Sequence, residues 1–255
     1  MSIRSSIALV TGGGTGIGRS TALELARQGA NAIVISYNVS EEDARQTCEE
    51  LSGLGVKALA VNADVRREAD IKRLVATVVS TFGGLDILIN NAGATRYVPL
   101  KDLDALTDQI WDLTFETNLR GTFYCCRSAA PHLKAARGAI VNVASIAGLR
   151  GAGSSIAYAV SKAGVIHLTR VLAVALAPEV RVNCVAPGLV QTRWFERGIG
   201  KGATEREAAR VAGETPLATT ALPQDVADTI MGLLASRLVT GQEIVIDGGK
   251  SLTYG

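Results

Sequence analysis

The sequence predicts an α/β fold: a doubly wound parallel sheet of about seven strands with helices on both faces. Three observations predict it. Short β-branched runs alternate with longer segments of helical period along the chain. A stretch reading Thr11-Gly12-Gly13-Gly14-Thr15-Gly16-Ile17-Gly18 falls between the first run and the first helical segment. Length and composition are those of a globule that buries a sizeable core, with 255 residues of which 47% are hydrophobic and 20% charged.

In order, the strand Ile7–Val10 precedes a helix over Ile17–Gly29. Ala32–Ser36 precedes Glu41–Leu54, and Ala58–Asn62 precedes Asp70–Phe82. Leu85–Asn90 is followed by two helical stretches up to Leu133. The alternation continues with Ala139–Ala144, a helix over Ala157–Ala177, the strand Arg181–Val185, a helix over Gln224–Ala235 and a last strand Glu243–Ile246. No linker, repeat or low-complexity tract interrupts it, so residues 1–255 read as a single domain. Residues 188–222 are long for a connection inside a compact domain and read as a substrate lid, with a helix over Thr204–Ala212.

Net charge is +2, with both signs scattered, which excludes a basic nucleic-acid or membrane-binding block and leaves a small molecule as the expected partner. Cys48, Cys125, Cys126 and Cys184 show no paired spacing and read as buried thiols rather than a disulfide or zinc framework. His132 and His167 stand alone and make no metal set. Only four apolar residues precede the glycines, too few for a signal-peptide core, and no run approaches a membrane span; the expectation is a cytoplasmic protein.

Glycine belongs where backbone must bend sharply or approach another atom. Here the glycines sit at the start of a helix, whose free N–H groups and positive dipole end favour an anion such as a pyrophosphate. The spacing GxxxGxG (Gly12, Gly16, Gly18) lacks the lysine of a triphosphate loop, and 27 glycines placed by chance give about 0.3 such matches, so the motif needs its strand–helix context. Tyr158 and Lys162 form YxxxK on a predicted helix, where residues four apart share a face; chance gives about 0.14 such pairs.

With these stretches in place, the chain resembles the short-chain dehydrogenase/reductase family along almost its whole length. Thr11–Gly18 resembles its cofactor fingerprint and Asn90-Asn91-Ala92-Gly93 its NNAG. Asn118 in TNLRG, Ser145 in VNVASIAG, and Tyr158 with Lys162 match the order and spacing of its catalytic residues. Pro187-Gly188 through Thr192 resembles its PGxxxT, and Thr240-Gly241-Gln242 to Asp247-Gly248-Gly249 its TGQ…DGG. The resemblance implies a Rossmann-like fold, a nicotinamide dinucleotide and hydride transfer between it and a carbonyl or secondary alcohol, 3-oxoacyl reduction being one option.

By that resemblance Tyr158 is the acid/base, Lys162 also binds the nicotinamide ribose, Ser145 orients the carbonyl and Asn118 holds a water in a proton relay. Ser154 and Ser155 are rivals of Ser145, which follows a strand end, where α/β sites collect their functional groups. A lysine ammonium one turn away is expected to lower the phenol pKa of Tyr158. The cofactor residues implied are Gly12, Thr15, Gly16, Ile17 and Gly18, then Tyr37 and Asn38, Asp64 and Val65, and Asn91, Ala92 and Gly93. Tyr158, Lys162, Pro187, Gly188, Val190 and Thr192 complete them; no metal is expected.

Substrate-facing positions, by analogy, are Ala94 to Tyr97, Ala147 to Arg150 and the lid from Leu189 to Ala212, where Arg96, Arg150, Arg193, Trp194 and Phe195 permit a medium-sized or partly anionic carbonyl compound. Family members acting on carrier-bound substrates dock an acidic carrier through basic residues; here the matching end of the Tyr158 helix reads Ala177-Pro178-Glu179, and Arg137 compensates in part. The apolar segment Phe115–Cys126 and the last strand, with the resemblance, imply a homotetramer. A non-catalytic dinucleotide-sensing module and a dehydratase or epimerase on the same scaffold are the alternatives. After Gly18 the end of the second strand offers Ser36, Tyr37, Asn38 and Ser40 and no acid before Glu41, which predicts NADP in preference to NAD, with Arg19 as a further candidate for the phosphate.

Overall fold

The β-branched runs pair side by side into one sheet. The computed structural model describes residues 2–194, 198 and 200–253. Strands β1 (Ile7–Thr11), β2 (Ala32–Tyr37), β3 (Lys57–Asn62), β4 (Ile87–Asn90), β5 (Ala139–Val143), β6 (Arg181–Pro187) and β7 (Glu243–Ile246) lie in the order β3-β2-β1-β4-β5-β6-β7. Every pairing is parallel. The chain direction across the sheet reverses between β1 and β4, where open α/β sheets leave a crevice beyond their carboxyl ends. β6 runs on past Val185 to Pro187, carrying the chain up to that crevice.

Helices α1 (Gly16–Arg27), α2 (Glu41–Gly53), α3 (Glu68–Phe82), α4 (Asp108–Phe115), α5 (Gly121–Ala136), α6 (Ile156–Ala175), α7 (Lys201–Gly213) and α8 (Pro223–Ala235) join the strands. Successive strand residues point to opposite faces, so Ile33 and Ile35 join one core with Leu25, Leu51 and Ile230, while Val34 joins a second with Leu74, Leu133 and Leu172. α6 is apolar and long enough to pass for a membrane-crossing helix, at a mean hydropathy of 1.2, which departs from the sequence expectation that no segment comes close. It covers the sheet instead, with Ser161, Lys162 and Thr169 buried.

Candidate active site

At the crevice the glycines are required by contact. Gly12 and Gly16 adopt φ of +62° and +53°, open to glycine without strain. A Cβ on Gly18 would lie 2.4 Å from the Gly12 carbonyl oxygen and 2.5 Å from Asn91 Nδ2. Gly18 thus packs the helix against the loop rather than lining the cavity, a correction to its expected place among the cofactor contacts. Thr15 stands extended before α1 without capping it through its side chain, which leaves first-turn amides for a ligand. Asn91 donates through Nδ2 to the carbonyls of Thr11 and Gly12, both at 3.0 Å, while the Asn91 and Ala92 amides donate to Thr11 Oγ1. These bonds lock the turns after β1 and β4 together.

A cavity of about 1180 Å³ runs from Tyr37 and Asn38, past Asp64 and Val65, over Gly12, Thr15, Gly16 and Ile17, to Asn91, Ala92 and Gly93. Ser145, Tyr158, Lys162, Pro187, Gly188 and Val190 also line it, and Thr192 does so against Gly16. The residues fit a dinucleotide: a bare backbone cradle and uncapped helix amides stand midway, with a polar strand end at one extreme and titratable groups at the other. Gly14, Ser36 and Ser40 also line it, and so do Arg66, Leu113 and Lys250, which were not anticipated. Arg66 follows directly on Asp64-Val65 and was findable there; its guanidinium clamps Asp64, which holds that carboxyl below its ordinary pKa. Nothing local marks Leu113.

Asn118 sits in a π-helical turn, Glu116–Arg120, between α4 and α5. Such bulges turn a side chain out of helical register and recur at functional sites. Asn118 is buried and does not line the cavity. Its Oδ1 accepts from the Ala94 amide at 2.7 Å, and Nδ2 donates to the Ala94 carbonyl and to Ser161 Oγ, both at 3.0 Å. Its carbonyl oxygen accepts from Thr122 at 2.7 Å.

Ser145 follows β5 and stands close enough to Tyr158 to act on its phenol; its Oγ accepts from the Ala147 amide at 3.2 Å and donates to the Pro187 carbonyl at 3.5 Å. The turn it begins lies tight on α6 because Gly148 has no side chain: a Cβ there would meet backbone of Lys162 and Ala163 at 2.6 Å. Of the rivals, Ser155 is buried and caps α6 by accepting from the Tyr158 amide, and Ser154 bonds Thr95. Lys162 Nζ donates to the Val143 carbonyl at 2.7 Å and stands 5.7 Å from the Tyr158 ring centre.

Burial dominates both titrations. It pushes the Tyr158 phenol up to about 12, with Ser145 opposing it, and brings the Lys162 ammonium down to about 8. The expected lowering of the phenol by Lys162 is therefore overturned in the free site.

Three expected contacts are corrected. Arg19 pairs with Glu50 on α2 and lies off the cavity. Arg150 donates to the carbonyls of Lys250 and Thr253, pinning the C-terminal turn instead of facing substrate. Arg96 also lies off the cavity, whereas Tyr97 and Trp194 line it. Phe195 falls outside the described residues. Cys125, Cys126 and Cys184 are buried and Cys48 is half-buried; no metal cluster occurs among the described residues.

Residues 12–251 match the family described as enoyl-(acyl carrier protein) reductase. The chain is 44% identical to a protein described as ketoacyl reductase 2 of the granaticin polyketide synthase of Streptomyces violaceoruber, over 96% of each chain. It is 38% identical to the (2S)-[(R)-hydroxy(phenyl)methyl]succinyl-CoA dehydrogenase subunit BbsD of Thauera aromatica, over the full length of both. A short-chain dehydrogenase/reductase structure from Burkholderia xenovorans superposes with a TM-score of 0.90 at 33% identity, covering 98% of this chain and 99% of the other. The crossover crevice and these likenesses agree, and the chain belongs to the short-chain dehydrogenase/reductase family, an enzyme that uses a nicotinamide cofactor.

Proposed function

We propose that the enzyme reduces a ketone, with Tyr158 as the proton donor, Ser145 as the second donor to the carbonyl oxygen and Lys162 as the cation behind them. The observation that carries this reading is the convergence of Ser145, Tyr158 and Lys162 on one cavity, with Lys162 Nζ 5.7 Å from the ring centre of a buried phenol. Bound reduced nicotinamide supplies the hydride. Charge that develops on the carbonyl oxygen is met by the Tyr158 proton and the Ser145 hydroxyl, two donors fixed in advance by the helix cap at Ser155 and the tight turn at Gly148. Asn118, its side chain committed to Ala94 and Ser161, holds the loop over the site in place.

Tyr158→Phe removes the donor and little volume. General acid–base work contributes about 10²–10⁴-fold, so NADPH oxidation driven by a panel of ketones should fall at least that far while cofactor binding persists. A loss below about tenfold would remove Tyr158 from the role. Carbonyl-dependent net oxidation of the cofactor also separates a reductase from a dehydratase, an epimerase or a sensing module.

NADP(H) is preferred over NAD(H) by less than about tenfold, or 1.4 kcal/mol. Ser36, Asn38 and Ser40 offer polar groups at the adenosine end, where no β2 carboxylate stands to accept a ribose hydroxyl. Glu41, the first acid, lies close enough to Tyr37 to add to the desolvation that raises its phenol pKa, and Arg19 is spent on Glu50, so a 2′-phosphate gains no bidentate clamp there. kcat/KM with both reduced cofactors on one ketone checks this; a tenfold advantage for NADH reverses it. The working form is a cytoplasmic homotetramer, for which the apolar surface at Phe123, Ile244 and Val245 offers contact area; light scattering that gives a stable micromolar monomer would overturn that state.

A further inference from the structure

Aromatic side chains are scarce in this chain, with two Trp, five Tyr and four Phe among 255 residues. Two of them nonetheless meet at the substrate end of the cavity. Trp194 comes down from the lid until its Cη2 lies 3.6 Å from where a Cβ on Gly93 would sit, a point 3.8 Å from Lys162 Nζ. Tyr97 lies close enough to Tyr158 for its charge to act on that phenol. The lid backbone rests on the Tyr97 ring at Gly198, where any Cβ would fall 1.9 Å from Cε2. Val98, Pro99 and Leu113 continue the apolar wall.

Among the described residues, the cations along the cavity are paired. Of the cations lining the cavity apart from Lys162, Arg66 pairs with Asp64, Arg193 with Asp43, Arg210 with Glu207 and Glu214, and Lys250 with Glu214. An anionic group at the reacting end would find Arg210 and Lys250 already held by Glu207 and Glu214. That argues against the partly anionic substrate the arginines suggest in sequence.

We infer that the reacting part of the substrate is an uncharged aryl ketone whose ring lies against Tyr97 and Trp194 while its carbonyl meets Tyr158 and Ser145. The inference rests on the ketone-reductase reading and narrows it. Aromatic pairing adds about 0.5–1.5 kcal/mol beyond burial, roughly two- to tenfold in kcat/KM.

The test compares three 3-oxo esters under saturating NADPH: ethyl benzoylacetate, its cyclohexyl counterpart of equal bulk, and a benzoylacetate bearing a para-carboxylate. The phenyl ester should exceed the cyclohexyl one by about three- to tenfold in kcat/KM and the carboxylated one by at least about tenfold. Tyr97→Leu and Trp194→Leu should each pull the phenyl-to-cyclohexyl ratio toward one, whereas Tyr97→Phe should keep it. Equal rates on phenyl and cyclohexyl esters, a carboxylated ester as good as the plain one, or an unchanged ratio in both leucine variants overturns the inference and leaves the reductase reading intact. If wild-type enzyme reduces none of the three, nor any ketone of the wider panel, the reductase reading falls and takes this inference with it.

Discussion

The two ends of the cavity are built from different materials. The glycine cradle is made by what is absent: Gly13 and Gly18 let a strand side chain and backbone approach to distances a Cβ would forbid, and Gly12 and Gly14 sit tight against the turn after β4 and against α2. The substrate end is made of what is present, in side chains brought together from the loop after β4, the turn after β5, the start of α6 and the lid. A ligand held by backbone is tied to one chemistry, since no substitution at the surface changes the amides it meets. One held by side chains from four separate segments can be altered piece by piece.

Gly18→Ala attacks the first kind of construction and carries the largest expected effect. The new Cβ meets a backbone oxygen that cannot swing away, and overpacking of this sort costs about 1–3 kcal/mol. Cofactor affinity should fall by about 5- to 150-fold by titration, and Tm should drop by several degrees. Gly213→Ala, at the end of the lid helix α7 with nothing within 4 Å, should leave both within error. Equal behaviour of the two variants would break the comparison.

This difference also explains what the sequence disclosed. Strand positions, helix positions and the cradle were legible because burial on both faces dictates β-branched runs and because a glycine requirement is written as glycine. The roles of Arg19 and Arg150 were not, because an arginine reaches several partners and only packing decides that one takes Glu50 and the other two carbonyls. The Tyr158 titration was misjudged for a related reason. A spacing of four residues places a lysine near a phenol, but the depth of burial, which dominates here, is a property of the assembled sheet and helices.

Burying Lys162 has a measurable consequence of middle size. Its folded pKa, about 8, lies below its ordinary 10.5, so between those values the unfolded chain holds more protons and stability rises with pH. The gain is at most about 1.4 kcal/mol per pH unit. Tyr158 acts oppositely from 10 to about 12, where the folded protein keeps the proton and stability falls. Denaturation of the cofactor-free protein should therefore show Lys162→Met gaining stability relative to wild type below pH about 8 and losing that advantage toward 10.5. A wild-type-minus-variant difference that does not change with pH would mean that Lys162 is solvated in the free enzyme and that the substrate end is less dry than its geometry indicates.

The smallest effect concerns an ion pair that joins the two ends. Arg193, at the start of the lid, meets Asp43 in the first turn of α2 at 2.6 Å, so a side chain of the substrate cover is tied to the helix beside the adenosine end. The arginine is about half exposed, and exposed pairs are worth about 0–1 kcal/mol. Arg193→Ala should then raise the cofactor KM by no more than about fivefold and leave kcat within about twofold. The rise should shrink in 0.5 M salt, which already screens the wild-type pair. Asp43→Asn should reproduce it, and the double variant should add nothing further, since each change removes the same contact. Additive losses in the double variant would instead assign Arg193 a direct contact with the cofactor, moving one side chain into the half of the site built from backbone.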